Sequence, residues 1–118
     1  MEDLKNYKKN IYSQHGEDGI IEEILKRLNQ YNDFQYCEFG AWDGVHLSNT
    51  CALIKKNDCK ALLIEPNIKK YNELCKNFPS KQIIKLNNFV EVEGKNSLDN
   101  LLKKNNFNLN FDFLSIDV

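Results

Sequence analysis

The sequence is short of the features that mark several classes of protein. No apolar run approaches the ~20 residues of a membrane-spanning helix. The opening stretch, MEDLKNYKKN, has no apolar core of the kind a secretory signal carries. A cytoplasmic location without membrane contact is therefore the expectation. Charge of either sign is not in excess: the formal net charge is −1, which offers no field to a nucleic-acid backbone or an anionic bilayer. Arg27 is the sole arginine, and the lysines are dispersed among acids, as on solvated faces. CxxC spacing is also missing. Cys37, Cys51, Cys59 and Cys75 have no paired histidines near them, which argues against a zinc site and for reduced, partly buried thiols. There are no repeats, no low-complexity tract and only two prolines, so residues 1–118 read as a single domain.

What is present is a globular composition, 42% apolar over 118 residues, enough for one core but small for a doubly wound enzyme. From Glu17 onward, Ile20, Ile21, Ile24, Leu25 and Leu28 recur at helical spacing, with Glu22–Lys26 and Glu23–Arg27 as supporting pairs, and this helix should end before Tyr31. A strand is expected at Gln35–Phe39 and a helix from Leu47 to Lys56. Lys60–Ile64 (KALLI) has the form of a strand buried on both faces. Pro66 and Pro79 bracket a helix striped by Ile68, Tyr71, Leu74, Cys75 and Phe78. A strand at Gln82–Leu86, a helix at Ser97–Lys104 with Ser97 and Asn100 at its cap, and a strand at Phe111–Ile116 complete the series. Alternation of this kind predicts an α/β fold, a parallel sheet flanked by helices, which binds ligands outside the carboxyl ends of its strands.

Three acids fall at such ends: Glu38, Glu65 and Asp117. The loop after the first strand, CEFGAWDGVHLSNT, holds Gly40 and Gly44 but has Trp42 where a dinucleotide fingerprint needs its second glycine, and Asp43 beside it. Carboxylates this close to a pyrophosphate would repel it by about a few kcal/mol. No GK[ST] follows, so a Walker loop is excluded. S-adenosylmethionine has the opposite character, with a cationic sulfonium and amino group and no phosphate. An acid at Glu38, close backbone approach at Gly40 and Gly44, and Glu65 about 20 residues on to accept from ribose hydroxyls suit it. Each residue also has a plainer reading: Gly40 and Gly44 as turn formers, Asp43 and Glu65-Pro66 as helix starts, Trp42 as packing under the loop.

YSQHGEDGIIEEIL, CEFGAWDGVHLSNT, LLIEPNIKKYNEL and FDFLSIDV together resemble the FkbM-like methyltransferases, a branch of the class I S-adenosylmethionine-dependent enzymes, from about Tyr12 to the last residue. The resemblance implies a Rossmann-like sheet of about four strands in the order 3-2-1-4, the N-terminal portion of that fold. It implies that Glu38, Gly40, Trp42, Asp43 and Gly44 form the glycine-loop site and that Glu65 with Pro66 forms the ribose motif. Asn88 and Phe89 would sit at the adenine, and Asp117 beside the transferring methyl as base, metal ligand or acceptor orienter. It implies O-methylation of a sugar or small-metabolite hydroxyl. An incomplete cofactor-binding half-domain and a nicotinamide-linked oxidoreductase are the rival readings. Family members continue past the fourth strand, so that strand would be an exposed edge and self-association through it is expected. SQHGEDG reads either as a helix start or as a segment in which Gln14, Glu17 or Asp18 closes over the cofactor. His15 is expected on the surface and His46 at the joint between loop and helix.

Overall fold

A computed structural model describes residues 2–28, 35–56 and 59–117. After a single 3-10 turn at Leu4–Tyr7, helix α1 (Glu17–Arg27), strand β1 (Gln35–Phe39), α2 (Cys51–Lys56), β2 (Lys60–Ile64), α3 (Ile68–Asn77), β3 (Ile83–Leu86), α4 (Leu98–Lys104) and β4 (Phe113–Ile116) follow in order. The four strands form one all-parallel sheet, order β3-β2-β1-β4, as expected. This is a Rossmann-like α/β architecture. None of the helices described is long and apolar enough to cross a membrane.

The two-residue period of a strand divides the core. Tyr36, Ala61 and Leu63 point to one face and pack with Leu25 of α1, Cys51, Leu53 and Ile54 of α2, and Leu74 of α3. Cys37, Leu62 and Ile64 point to the other and meet Leu101 and Leu102 of α4 together with Phe107. Ala61 to Ile64 are fully inaccessible, which is why KALLI contains no polar residue past its first position. Burial also lifts the Cys37 thiol to about 12, with the neighbouring Glu38 adding to it, and lifts Cys51 to about 11. Cys37, Cys51, Cys59 and Cys75 form no disulfide with one another.

Several boundaries differ from those expected. α2 begins at Cys51 rather than Leu47, because Leu47 adopts a left-handed backbone (φ 53°) and Ser48 Oγ accepts from the N–H groups of Thr50 and Cys51. That is the work of a cap, so the helix can only start after it. β4 begins two residues later than expected. Asp112 N donates to Gln35 O, while its carboxylate accepts from Gln35 N, so this pair closes the ladder at its amino end. α1 buries less of its stripe than its periodicity implies. Leu25 is buried and Ile21 packs on the core, whereas Ile24 and Leu28 are 37% and 61% exposed. The helix ends at Arg27 with Leu28 as its C-cap, before Tyr31 as expected. Ser97 caps α4 through Asn100 N as expected.

SQHGEDG serves as a fold element. The buried Asp18 takes the N–H groups of Ile11, Tyr12 and Ser13 on one carboxylate oxygen at 2.7–2.8 Å, and Ser13 Oγ accepts from Asp18 N at 3.0 Å. The segment preceding α1 is thereby folded back over the helix start. At Gly19 any side chain would run into the carbonyl of Tyr7, 1.9 Å from the position of a Cβ. Glu17 accepts from His15 N.

Candidate functional site

A cavity of about 600 Å³ opens at the carboxyl ends of the strands, astride β1, where the chain's order along the sheet reverses. Each strand contributes its terminus: Phe39 and Gly40 after β1, Glu65 and Pro66 after β2, Asn88 to Val90 after β3, and Asp117 after β4. Trp42, His46 and Leu47 close it from the β1–α2 loop. The volume falls within the range of small-molecule sites, and the wall mixes apolar rings with a few polar groups, as such sites do. Two carboxylates line it, and no lysine or arginine among the described residues does.

The loop is built by positive φ angles. Gly40 stands at φ +77°, and a Cβ there would sit 1.5 Å from the Asp117 carbonyl oxygen, so the β1 end and the β4 end touch through a residue that must be glycine. Gly40 N and Ala41 N both donate to Ile64 O, at 2.9 and 3.1 Å, which binds the loop to the end of β2. Trp42 is itself left-handed (φ 56°), an uncommon and strained state for a bulky residue. Its N–H is held by Glu65 Oε1 at 2.7 Å, and the Lys70 ammonium lies 5.0 Å from its ring centroid. Gly44 (φ +81°) packs against Leu74 of α3 and Phe78 at its C-cap instead of the cavity.

Glu65 is the centre of the construction. Its side chain, only 3% exposed, takes Trp42 N on one oxygen and Asn67 N on the other, each at 2.7 Å. Asn87 Nδ2 braces the same turn by donating to the carbonyls of Glu65 and Pro66. Each carboxylate oxygen retains a second lone pair, so Glu65 can organise the loop and still accept from a ligand.

The remaining residues singled out from the sequence are placed unevenly. Gly40, Trp42, Glu65, Pro66, Asn88, Phe89 and Asp117 meet at the cavity; Glu38, Asp43 and Gly44 do not line it. Asp43 accepts from the N–H groups of Val45 and His46, and Asn77 Nδ2 donates to its carbonyl oxygen. Burial pulls its pKa upward. The backbone donors of His46 and Val45, then the Lys70 charge, outweigh that and hold the carboxyl below its usual range. His46, expected only at a loop–helix joint, stands in the cavity wall with Asp117. Its spacing from Asp43 was the available signal: an aspartate cap turns the chain so that the third residue on projects beside it. His15, Gln14, Glu17 and Asp18 are not part of the wall. No three His, Cys, Asp or Glu side chains gather as a metal site among the described residues.

Glu38 lies beneath the site. Strand periodicity turns its side chain to the α2 face, where it is 3% exposed and accepts from the Thr50 hydroxyl, with Ser115 Oγ at 3.5 Å. Desolvation is the main reason its pKa rises to about 7. The Asp117 charge adds to the rise, and the Thr50 and Ser115 hydroxyls oppose it. A carboxyl with its pKa raised on folding favours the folded state below the unfolded value and loses that contribution as pH rises through the folded one. Stability should therefore fall from about pH 4.5 to about pH 7, by about 3 kcal/mol for this group. Urea unfolding at pH 5 and pH 8 should show Glu38→Gln losing most of that decrement. An equal decrement in both proteins would place the titration elsewhere.

Comparison with protein-family models, with curated proteins and with solved structures gave no match to the chain. Fold and topology define its class: a Rossmann-like, all-parallel α/β protein with its cavity at the carboxyl rim of the sheet.

Proposed function

We propose that the protein is a class I S-adenosylmethionine-dependent methyltransferase of the FkbM-like kind, acting on a hydroxyl of a sugar or small metabolite. One observation carries the reading. The cavity at the switch point of the sheet presents Glu65 and Asp117, with no lysine or arginine in its described wall and a tryptophan where a pyrophosphate would need glycine. Such a site favours a cationic nucleoside over a phosphorylated one. The residues fit the group. Glu65 would take the ribose hydroxyls, Asn88 and Phe89 would flank the base, and the Gly40–Trp42 backbone would meet the amino-acid end. When bound, the cofactor supplies an electrophilic methyl group whose leaving group is already activated.

The chain's own contribution is alignment and proton handling. Gly40 lets the β4 terminus come within contact of the loop, which brings Asp117 to the mouth of the cofactor cavity. With Glu65 committed to the ribose, Asp117 and His46 are the remaining groups in the wall able to receive a hydroxyl proton as the acceptor attacks. Glu38 acts on the site only through its charge, from below the floor.

Isothermal titration of the full chain with S-adenosylhomocysteine and with NAD tests the reading. Saturable binding of the first and none of the second is the expected result. Preference for NAD would favour the oxidoreductase reading and remove the methyltransferase one. Binding of the nucleoside without methyl transfer to any of a broad panel of hydroxyl acceptors would identify a cofactor-binding domain without turnover.

A further inference from the structure

We propose that the protein has a second binding site, at the opposite pole of the sheet, for a phosphorylated sugar. A cavity of about 500 Å³ opens where the strands begin. A strand of four or five residues separates it from the first cavity by about 15 Å, so a ligand there is not the acceptor of the first site. The inference does not rest on the methyltransferase reading.

The wall contains two cations and no carboxylate. Lys60 opens β2 and Lys81 lies in the turn before β3, so the two lysines line the cavity side by side at the starts of neighbouring strands. Neither has an ion-pair partner among the described residues. Asp112 at the same pole accepts from Gln35 N (3.0 Å) and is not part of the wall. Helix ends supply the usual objection to an anion here, because α4 points its carboxyl end toward this pole and carries partial negative charge. That end is already answered by Lys103 and Lys104 in its own last turn and by the Asn105 N–H bonded back to Leu101 O and Lys103 O. The charges of Lys60 and Lys81 remain for a ligand, and two ammonium groups match the two charges of a phosphate monoester.

Around them stand carboxamides, Gln82, Asn106 and Asn108, groups that both donate to and accept from hydroxyls. Asn108 Oδ1 is taken by Asn110 N at 2.9 Å, which fixes the side chain and leaves its amide protons as donors. Asn106 holds a left-handed backbone (φ 54°) that sets the turn carrying both asparagines. The buried Phe107 backs the cavity from the core, where it packs with Leu101 and Leu102. Cations beside amides are a recognition set for hydroxyls and an oxyanion together, as in a sugar phosphate, and the volume suits a hexose phosphate.

Amide chemical shifts of the full chain, followed during titration with glucose 6-phosphate, glucose 1-phosphate and ribose 5-phosphate, test this directly. At least one should give saturable shifts grouped at Lys60, Lys81 and Asn106 to Asn108. Its affinity should be at least about tenfold tighter than that of glucose or inorganic phosphate alone. Lys60→Gln with Lys81→Gln should weaken it at least about tenfold with unchanged melting, since both side chains are exposed. Three outcomes overturn the proposal: no saturable response at this pole from any of the three at millimolar concentration, an affinity indifferent to the double exchange, or inorganic phosphate binding as tightly as every sugar phosphate.

Discussion

Gly40→Ala should abolish or severely weaken folding. The added methyl meets two independent obstacles. At φ +77° an L side chain is strained by about 1–2 kcal/mol before anything touches it. Its carbon would then lie 1.5 Å from the Asp117 carbonyl oxygen, a backbone atom just past the end of β4. No rotamer change relieves a contact with backbone, so β1 and β4 must separate at their carboxyl ends. That would strip the Asp117 N–H from Phe39 O, now 3.0 Å away. A total cost above about 4 kcal/mol is expected, a large share of the stability of a small domain, and a melting temperature lower by roughly 10 °C or more. Gly94→Ala is the matched control. That glycine is also left-handed (φ +91°), but a Cβ there meets nothing within 4 Å, so only the strain should register. Equal losses in the two variants would mean that β4 does not close against the loop as described.

Glu65→Ala should cost both stability and ligand. Its carboxylate holds two backbone N–H groups, Trp42 and Asn67, in a nearly inaccessible position. Hydrogen bonds to a charged group are worth about 1.5–3 kcal/mol each, and truncation leaves both donors without their acceptor. A loss of about 3 kcal/mol or more in urea unfolding is expected. The strained Trp42 backbone loses the contact that holds it, so the cavity wall should loosen as well. S-adenosylhomocysteine affinity should fall at least about tenfold by calorimetry, roughly 1.4 kcal/mol. Glu65→Gln should lie between, because a carboxamide offers one acceptor oxygen where the carboxylate offers two. An unchanged nucleoside affinity in a folded Glu65→Ala protein would remove Glu65 from the ligand. An unchanged stability would contradict its role in the loop.

The two variants separate what each part of the loop does. Gly40 governs whether the β4 terminus reaches the cavity at all. Glu65 governs the shape of the wall once the strands are in place. Asp43, by contrast, is spent on the Val45 and His46 N–H groups and on no surface of the cavity. Its plainer reading as a helix-start residue was close in kind, since it caps a turn, but the helix itself begins eight residues later.

Local order was legible in the residues because it depends on short-range chemistry. KALLI could be placed as a doubly buried strand, Ser97 as a cap and Glu65-Pro66 at a strand end, since an apolar run, a short hydroxyl and a ring-locked φ act on their own neighbourhood. Alternation of those elements fixed the α/β class. The facing of side chains was another matter. Glu38 looked like a member of the acidic rim, yet one step of strand period sets it against Thr50 beneath the loop, and its proton affinity follows from that burial. Asp18 stands in the first turn of α1, as a helix-start acid should, and also collects three N–H groups from a segment that folds back over it. His46 entered the cavity wall because Asp43 turns the chain, and Lys60 and Lys81 share a cavity because β2 and β3 are neighbours in the sheet. By itself the sequence determined which segments become strands and helices and which acids end the strands. Only the tertiary structure decided which of those acids reach a common cavity, because that depends on which helix covers each face and on close approaches, such as Gly40 to Asp117, between residues far apart in the chain.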